Sequence, residues 1–499
     1  MGLRSMIFGP PHVPAVPTDR IVPLRYWDGI PHIRAFAHDI TLRFDDVLSL
    51  LKLEESLHAL YQIGNWGQLG ARLRLNPTGK LEYHIPAQYD DARPAFIFTA
   101  MEHGTSINNH RLGFQLPRTS SSQEPFLAPC AAEFGPLVRD RESPRFLEDW
   151  LDSDLPQLKI HVVLFDDATL LTITYPHTLM DAVGRASFLR AWTAVLQGHP
   201  EDVPTLQDLS EDPLASLGVE NSGLSYIHAD RVLHGLGLVR FGLRHMFDLW
   251  FHRAEDRVLI LPGQFVDRMK QRALKELLDS DTSSPVYLSE SDVLLSWWVK
   301  SVTRALELSP DRTIMSMNMF EVRGLFDDWF PAGSAYIGNA IFPSYTLHSV
   351  PDAIGGSLSA LAFENRLALS QHRTKDQVHA LASIQRRSLL QTTPLVGESN
   401  LLFMACTNHH KARFFELDFS CAVVRPGIPL TERANQLGRP SYVNNIEHCS
   451  GYPTTNVLRV IGKDAAGNWW LSCTLREGVW AKISGELKAL VESNNALES

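Results

Sequence analysis

The chain has 499 residues, 44% hydrophobic and 20% charged, with a formal net charge of -10. That length suits two domains of ordinary size with large buried cores. The acidic balance excludes a broad nucleic-acid footprint, which needs a basic surface, but leaves room for a small basic pocket for a phosphorylated co-substrate.

The five cysteines, Cys130, Cys406, Cys421, Cys449 and Cys473, are widely spread and never spaced CxxC. That pattern predicts reduced thiols in a cytoplasmic protein, with neither a disulfide framework nor a zinc site. The opening MGLRSMIFGPPHVPAVPTDR has no long apolar stretch before its prolines and lacks the Ser or Thr at position 6 that myristoylation prefers. No apolar run reaches the roughly 18 residues of a membrane span, so no membrane partner is expected.

Along the chain, RTSSSQEP from Arg118 is loop-like. LKIHVVLF and LLTITY follow, two β-branched apolar runs separated by DDAT, which is a hairpin signal. Past Asp181 the period changes: Phe188, Leu189, Trp192, Val195 and Leu196 mark an amphipathic helix. PEDVPTLQDLSEDP then opens an acidic, proline-punctuated crossover running to about residue 255. Within it, VLHGLGLVRFGLRHMFDLWF is interrupted by Arg240, Arg244 and two histidines, and predicts an amphipathic helix packed on the body in preference to one attached to a membrane. RVLILP reads as a strand and GQFVDRMKQRALKELL as a helix. SESDVLLSWWVKSVTRAL reads as a second helix capped by Ser289. RTIMSMNMF, FFELDFSCAVV and NWWLSCTL read as strands, with a last helix from about Gly478. Strands and helices mix without strict βαβ alternation, which predicts an α+β fold of mixed layers. The expected division is residues 1–200, a crossover at 201–255, and residues 256–499. No GxGxxG, P-loop or HExxH occurs, and no metal site is expected.

A histidine four places before an aspartate occurs four times, at His177, His252, His348 and His372. A general base needs a fixed place facing a cavity and a pKa near working pH. Only His177 follows a core strand and precedes a helix, at TITYPHTLMDAVG. Asp181 can cap that helix or pair with an arginine, fixing the loop without relaying a proton. The other three histidines stand in hydrophilic or helix-start surroundings, which predicts surface or capping roles.

These residues resemble the BAHD-type acyltransferases, in particular their fungal branch, and more widely the chloramphenicol acetyltransferase-like fold. HTLMDAVG is similar to the HxxxDG motif, with Ala182 in place of the usual glycine and Gly184 retained two places on. SESDVLLSWWVKSVTRAL resembles a helix of the family, and VRGLFDDWFPAGSAYIGNAI its arginine, proline and GNA block through Arg323, Gly338 and Asn339. LHALYQIGNWGQLGARLRLNPTGKLEYHI is similar to the opening helix and hairpin. FFELDFSCAVVRPG falls where the family carries DFGWG, but Ser420, Cys421 and Ala422 replace Gly-Trp-Gly.

The resemblance implies two chloramphenicol acetyltransferase-like domains joined by a long crossover, with an active-site tunnel at their interface. It implies an acyl-CoA co-substrate, with acetyl-CoA the expectation, no tightly bound cofactor, and a small-molecule alcohol acceptor such as a fungal terpenoid, alkaloid or polyketide. His177 would be the general base, with Asp181 and Gly184 supporting the site. Asp418, on the DFGWG aspartate, would be catalytic or structural. A cytoplasmic monomer is expected. No cysteine is paired with a base in a motif and no GxSxG elbow occurs, so direct transfer in a ternary complex is expected, with a single ionisation near neutrality. Two alternatives stay open. A condensation-type enzyme uses carrier-bound acyl groups, but its motif usually has a second histidine where Pro176 stands. A catalytically silent ligand-binding relative would have no need to retain His177 and Asp181.

Overall fold

The computed structural model describes residues 13, 15–122, 124–219, 223, 225–279, 287–451 and 455–498; the opening MGLRSM lies outside the described residues. The strands used below are β1 (Phe36–Phe44), β2 (Ile97–Glu102), β3 (Phe126–Ala128), β4 (Lys159–Leu164), β5 (Thr169–Pro176), β6 (Ala254–Leu261), β7 (Thr313–Glu321), β8 (Ile341–Ser349), β9 (Leu402–Asn408), β10 (Tyr442–Cys449), β11 (Val457–Lys463) and β12 (Trp469–Arg476). The helices are α1 (Leu50–Tyr61), α2 (Ala182–Leu196), α3 (Gly235–Phe251), α4 (Gly263–Asp279), α5 (Glu290–Leu306), α6 (Leu358–His372), α7 (Lys375–Arg387) and α8 (Val479–Glu498).

The strands build a five-stranded sheet, β10-β1-β5-β4-β2, and a seven-stranded sheet, β8-β7-β9-β11-β12-β6-β3. Parallel pairs (β7 with β9, β9 with β11) and antiparallel pairs (β4 with β5, β11 with β12) share sheets, so the fold is the expected α+β mixture in a two-domain arrangement. The predicted hairpin of β4 and β5 closes with Leu164 opposite Thr169. Each sheet borrows an edge strand from the far half of the chain. β10 pairs along the whole of β1, and β3 pairs with β6. Neither sheet is complete without the other half of the sequence.

β5 is buried at every position and β1 at all but its first, so both read as continuous rather than alternating strands. α2 lies on this sheet through Phe188, Leu189 and Trp192, all fully buried in one cluster with Ile160, Leu171 and Ile173. Burying each such side chain stabilises the layer by about 1.5–3 kcal/mol. The Trp192 indole N–H donates to Ser56 Oγ of α1 at 2.9 Å, so the polar edge of the ring is satisfied as well. α5 begins at the predicted cap: Ser289 and Asp292 form a reciprocal capping box, and Trp298 then packs against Trp480 of α8.

One expectation fails and one is met in part. FFELDFSCAVV is not one strand; it forms single 3-10 turns at Phe414–Glu416 and Ser420–Ala422 before a short strand at Val423–Pro426. Arg413 enters with φ 56°, and the Asp418 carboxylate accepts from the Ser420 N–H at 3.0 Å, a local turn that outcompetes extension. α3 is helical as predicted, but none of its residues is buried. It is apolar on two sides, and only one can face the body. No described helix is long and apolar enough to cross a membrane.

Candidate active site

His177 directly follows β5, and its backbone is held from three directions. Its N–H donates to Phe36 O at 3.0 Å, its carbonyl accepts from Asn339 Nδ2 at 3.0 Å, and the next carbonyl, of Thr178, accepts from Tyr83 Oη at 3.0 Å. Asn339 is fixed in turn by Asp28, which accepts from its backbone N–H at 2.6 Å and its side-chain amide at 2.7 Å. The imidazole is partly exposed, while its Nδ1 is buried and bonds no other residue. The ring is therefore positioned through main chain and not by a side-chain partner on Nδ1.

Asp181 caps α2, accepting from the Gly184 N–H at 2.8 Å. Its carboxylate also takes the Ala340 N–H at 3.1 Å and a fork from Arg323 Nη2, 3.0 Å to each oxygen. Arg323 bonds the carbonyls of Tyr336 and Gly338 besides, so one side chain ties the HxxxD loop to the GNA block. Asp181 points away from the His177 ring, toward the arginine whose identity the sequence alone left open. Gly184 sits where α2 crosses that block; a Cβ there would stand 2.0 Å from Ile337 O, which excludes any side chain without moving backbone.

Register brings a polar row to the same place. Across the sheet, His38 of β1 pairs with Tyr175 of β5 on one side and Glu447 of β10 on the other. The His38 ring lies 4.6 Å from that of His177. Glu447 is bonded by Arg459 of β11, which joins the two sheets at the site. Tyr175 Oη accepts from Arg185 of α2 at 2.9 Å, and the Arg185 guanidinium lies 4.6 Å from the Phe414 ring centre. His32 and His409 complete the surroundings.

This environment disfavours the charged form of each of these four imidazoles. Burial lowers the His177 pKa; its own backbone carbonyl, Asp181 and Glu447 oppose that, and Arg185 adds to it. Burial with His177 nearby pushes His32 down to about 4, and burial with Arg185 and Arg459 pushes His409 down to about 3. His38 also lies well below its usual range, through burial first. Burial works against the Glu447 carboxylate, but the Arg459 pair outweighs it and holds the pKa below the ordinary value. Burial raises the Asp28 carboxyl to about 7 against the pull of Arg25 and Asn339. The Cys406 thiol is raised to about 12 by burial alone, so it offers no thiolate at neutral pH.

The other predicted residues lie elsewhere. Asp418 is bonded by Arg439 at 3.2 Å, and its carbonyl accepts from Gln197 Nε2 at 3.0 Å. Gln197 closes α2, so Asp418 stands one helix length, about 22 Å, from the His177 end. His252 follows α3 as its C-cap. His348 and His372 are not surface residues as expected. Both are buried, His348 3.2 Å from Glu364 and His372 with Nδ1 against Ala368 O at 2.7 Å. Among the described residues no group of three His, Cys, Asp or Glu is placed to hold a metal ion.

No family model matches the sequence. The chain is 40% identical over 501 residues to the acetyltransferase adrJ of Penicillium rubens, covering 99% of this chain and 100% of that protein. It is 36% identical over 505 residues to the acetyltransferase sphE of Aspergillus fumigatus, with 96% of each covered. A relative of Penicillium decumbens, calD, 35% identical over 479 residues with 95% of this chain and 96% of that one covered, bears the name transcriptional regulator. The fold matches Fusarium sporotrichioides TRI101, crystallised with coenzyme A and T-2, at a TM-score of 0.66 and 16% identity, over 94% of this chain and 97% of that one. With full-length identity at this level, the chain belongs to the family of these fungal acetyltransferases and is an acyltransferase.

Proposed function

We propose that the protein is a BAHD-type, acyl-CoA-dependent O-acyltransferase that acetylates a hydroxyl of a fungal secondary metabolite, with His177 as general base. The observation that carries this reading is a partly exposed histidine pinned through its backbone, while the neighbouring carboxylate is turned to Arg323. The acetyltransferase relatives, and the coenzyme A bound by TRI101 on the same fold, supply the donor class. The name of calD would call for a nucleic-acid partner, which a chain of net charge -10 is poorly built to meet. The wide spread of the five cysteines, never spaced CxxC, supports a cytoplasmic, reducing setting.

In the reaction, the acceptor hydroxyl gives its proton to the exposed imidazole nitrogen as its oxygen attacks the thioester carbonyl. The tetrahedral oxyanion forms within the field of Arg185, whose positive charge acts on the His177 position and is fixed before reaction, which lowers the barrier. The C–S bond then breaks, and the thiolate recovers the proton from the imidazolium. No residue is acylated. Incubation with acetyl-CoA and a panel of alcohols, with free thiol followed by a thiol reagent, tests the reading directly. Thiol release should require an alcohol, and initial-rate lines against the two substrates should intersect. Parallel lines with a stable acyl adduct on the protein would overturn the mechanism.

The pH profile follows from the sign of the His177 shift. The base works unprotonated, and burial moves its pKa below the usual value of about 6.5. kcat/KM should therefore rise with pH through an ionisation of His177 below 6.5, a lower limb than the sequence alone suggests. A limb centred above 7 would assign the ionisation to another group.

Asp418 we assign to structure, since its partners are Arg439, Ser420 and the end of α2. Asp418→Asn should lower the melting temperature and leave kcat of the folded protein within about two- to three-fold of the parent, because a partly exposed pair is worth about 1 kcal/mol or less. A loss of about 100-fold in kcat with an unchanged melting curve would return Asp418 to the chemistry.

A further inference from the structure

One side of α3 is covered. Phe241 packs against the cluster that includes Met315, Tyr345 and Val396, and Asp248 acts on Arg312 and His245 on the body side. The outer side is apolar and open. Leu236, Val239, Leu243, Met246, Phe247 and Trp250 recur at three- and four-residue spacing along one stripe, and all are exposed, Leu236 by 76% and Trp250 by 77%. Scattered apolar side chains on a surface need no explanation; six in one stripe mark a contact surface.

The charges on the open side of the helix itself are basic, while Asp248 and Asp311 lie toward Arg312. Arg240 and Arg244 are exposed, and Asp248 is the sole acid of the helix. Arg244, Arg253, Arg312 and Arg476, with Asp248 as the one acid, line a cavity of about 640 Å³ between α3 and the ends of β7, β9 and β12, with Leu249 and Phe251 among its apolar walls. A second copy seated on this face would set Arg240 and Arg244 against their own equivalents, because a two-fold contact brings the same patch to itself. A phospholipid surface with anionic headgroups meets both halves: acyl chains for the stripe, phosphates for the guanidiniums. Tryptophan and phenylalanine beside arginine are the composition of helices that lie in the headgroup boundary. The overall charge of -10 opposes approach only weakly, since fields beyond about 8 Å are screened at physiological salt and the local patch decides.

We propose that α3 docks the protein on an anionic phospholipid surface, with the Leu236–Trp250 stripe at the acyl boundary and Arg240 and Arg244 at the phosphates. This is a surface attachment; the helix does not span. It stands on α3 alone and is independent of the reaction assigned to His177.

The full-length protein should co-sediment with vesicles of phosphatidylcholine containing about one third phosphatidylserine, and far less with phosphatidylcholine alone. Raising the salt should weaken the binding. Leu243→Glu with Trp250→Glu should lower the partition coefficient on anionic vesicles by about ten-fold or more, and Arg240→Glu with Arg244→Glu should remove the preference for phosphatidylserine. Both double variants should keep the parent's circular dichroism and its turnover of dissolved substrates, because no side chain of α3 is buried. Failure of the parent to bind anionic vesicles would overturn the proposal, as would unchanged binding by Leu243→Glu with Trp250→Glu. So would light scattering that finds a dimer which the same double variant converts to a monomer, since a second copy would then cover the face.

Discussion

His177→Ala should lower kcat by about 100-fold or more while the protein stays folded, the usual range for loss of a general base. No neighbour can take over. His32 and His409, at pKa values of about 4 and 3, are too weakly basic to accept a proton from an alcohol efficiently. His38 is buried on β1 with its Nδ1 3.0 Å from Asn445 Nδ2. Fold should survive because the loop is held through the backbone of His177, and alanine keeps the N–H and the carbonyl that Phe36 and Asn339 use. The controls at the other motif copies behave differently. His348→Ala and His372→Ala should keep the parent's turnover per folded molecule, but both remove a buried ring and should melt earlier. A folded His177→Ala protein with turnover within three-fold of the parent would remove the residue from the mechanism.

The placement of His177 between a buried strand and a helix was legible because its signal is local. A fully buried strand, a proline and a change of period from strand to helix fall within about ten residues, and that context set one HxxxD apart from three. What the sequence hid is set by long-range pairing. Arg323 reaches Asp181 across 142 residues, and although VRGLFDDWF resembles the family's arginine block, nothing local pairs that arginine with Asp181. The row of Glu447, His38 and Tyr175 exists only because β10 pairs with β1, a register that no local pattern encodes. A weak signal was present in FAHDITLRF, where His38, Asp39, Thr41 and Arg43 interrupt an otherwise apolar strand and all four are buried. Polar groups in a core strand need partners, so such a segment marks a network even before its members are known. His372 failed in the opposite direction. Its neighbours Gln371, Arg373 and Lys375 are exposed, and they masked a ring that turns inward to Tyr226 and Tyr345.

Asp181→Asn should destabilise the protein by about 3 kcal/mol and abolish most turnover together, because its carboxylate is an acceptor and nothing else. Three donors converge on it: the N–H groups of Gly184 and Ala340, and Arg323. An asparagine can present one oxygen; its amide must point an N–H at another donor, and Arg323 keeps a charge that is only 14% exposed. At roughly 2–4 °C per kcal/mol for domains of this size, the melting temperature should fall by about 6–12 °C. Arg323→Lys should not behave as a conservative change, since an ammonium cannot reproduce the guanidinium bonds to Asp181, Tyr336 O and Gly338 O. Pairing Asp181→Asn with Arg323→Met removes the orphaned charge, so the double variant should be no less stable than the weaker single one, a coupling visible in a double-mutant cycle. The pH profile adds a readout that packing alone would not move. Asp181 raises the His177 pKa, so whatever activity remains in Asp181→Asn should have its acid limb at still lower pH than the parent. An Asp181→Asn protein that is inactive yet melts with the parent and binds acyl-CoA equally well would give the carboxylate a direct part in proton transfer and end its assignment to positioning.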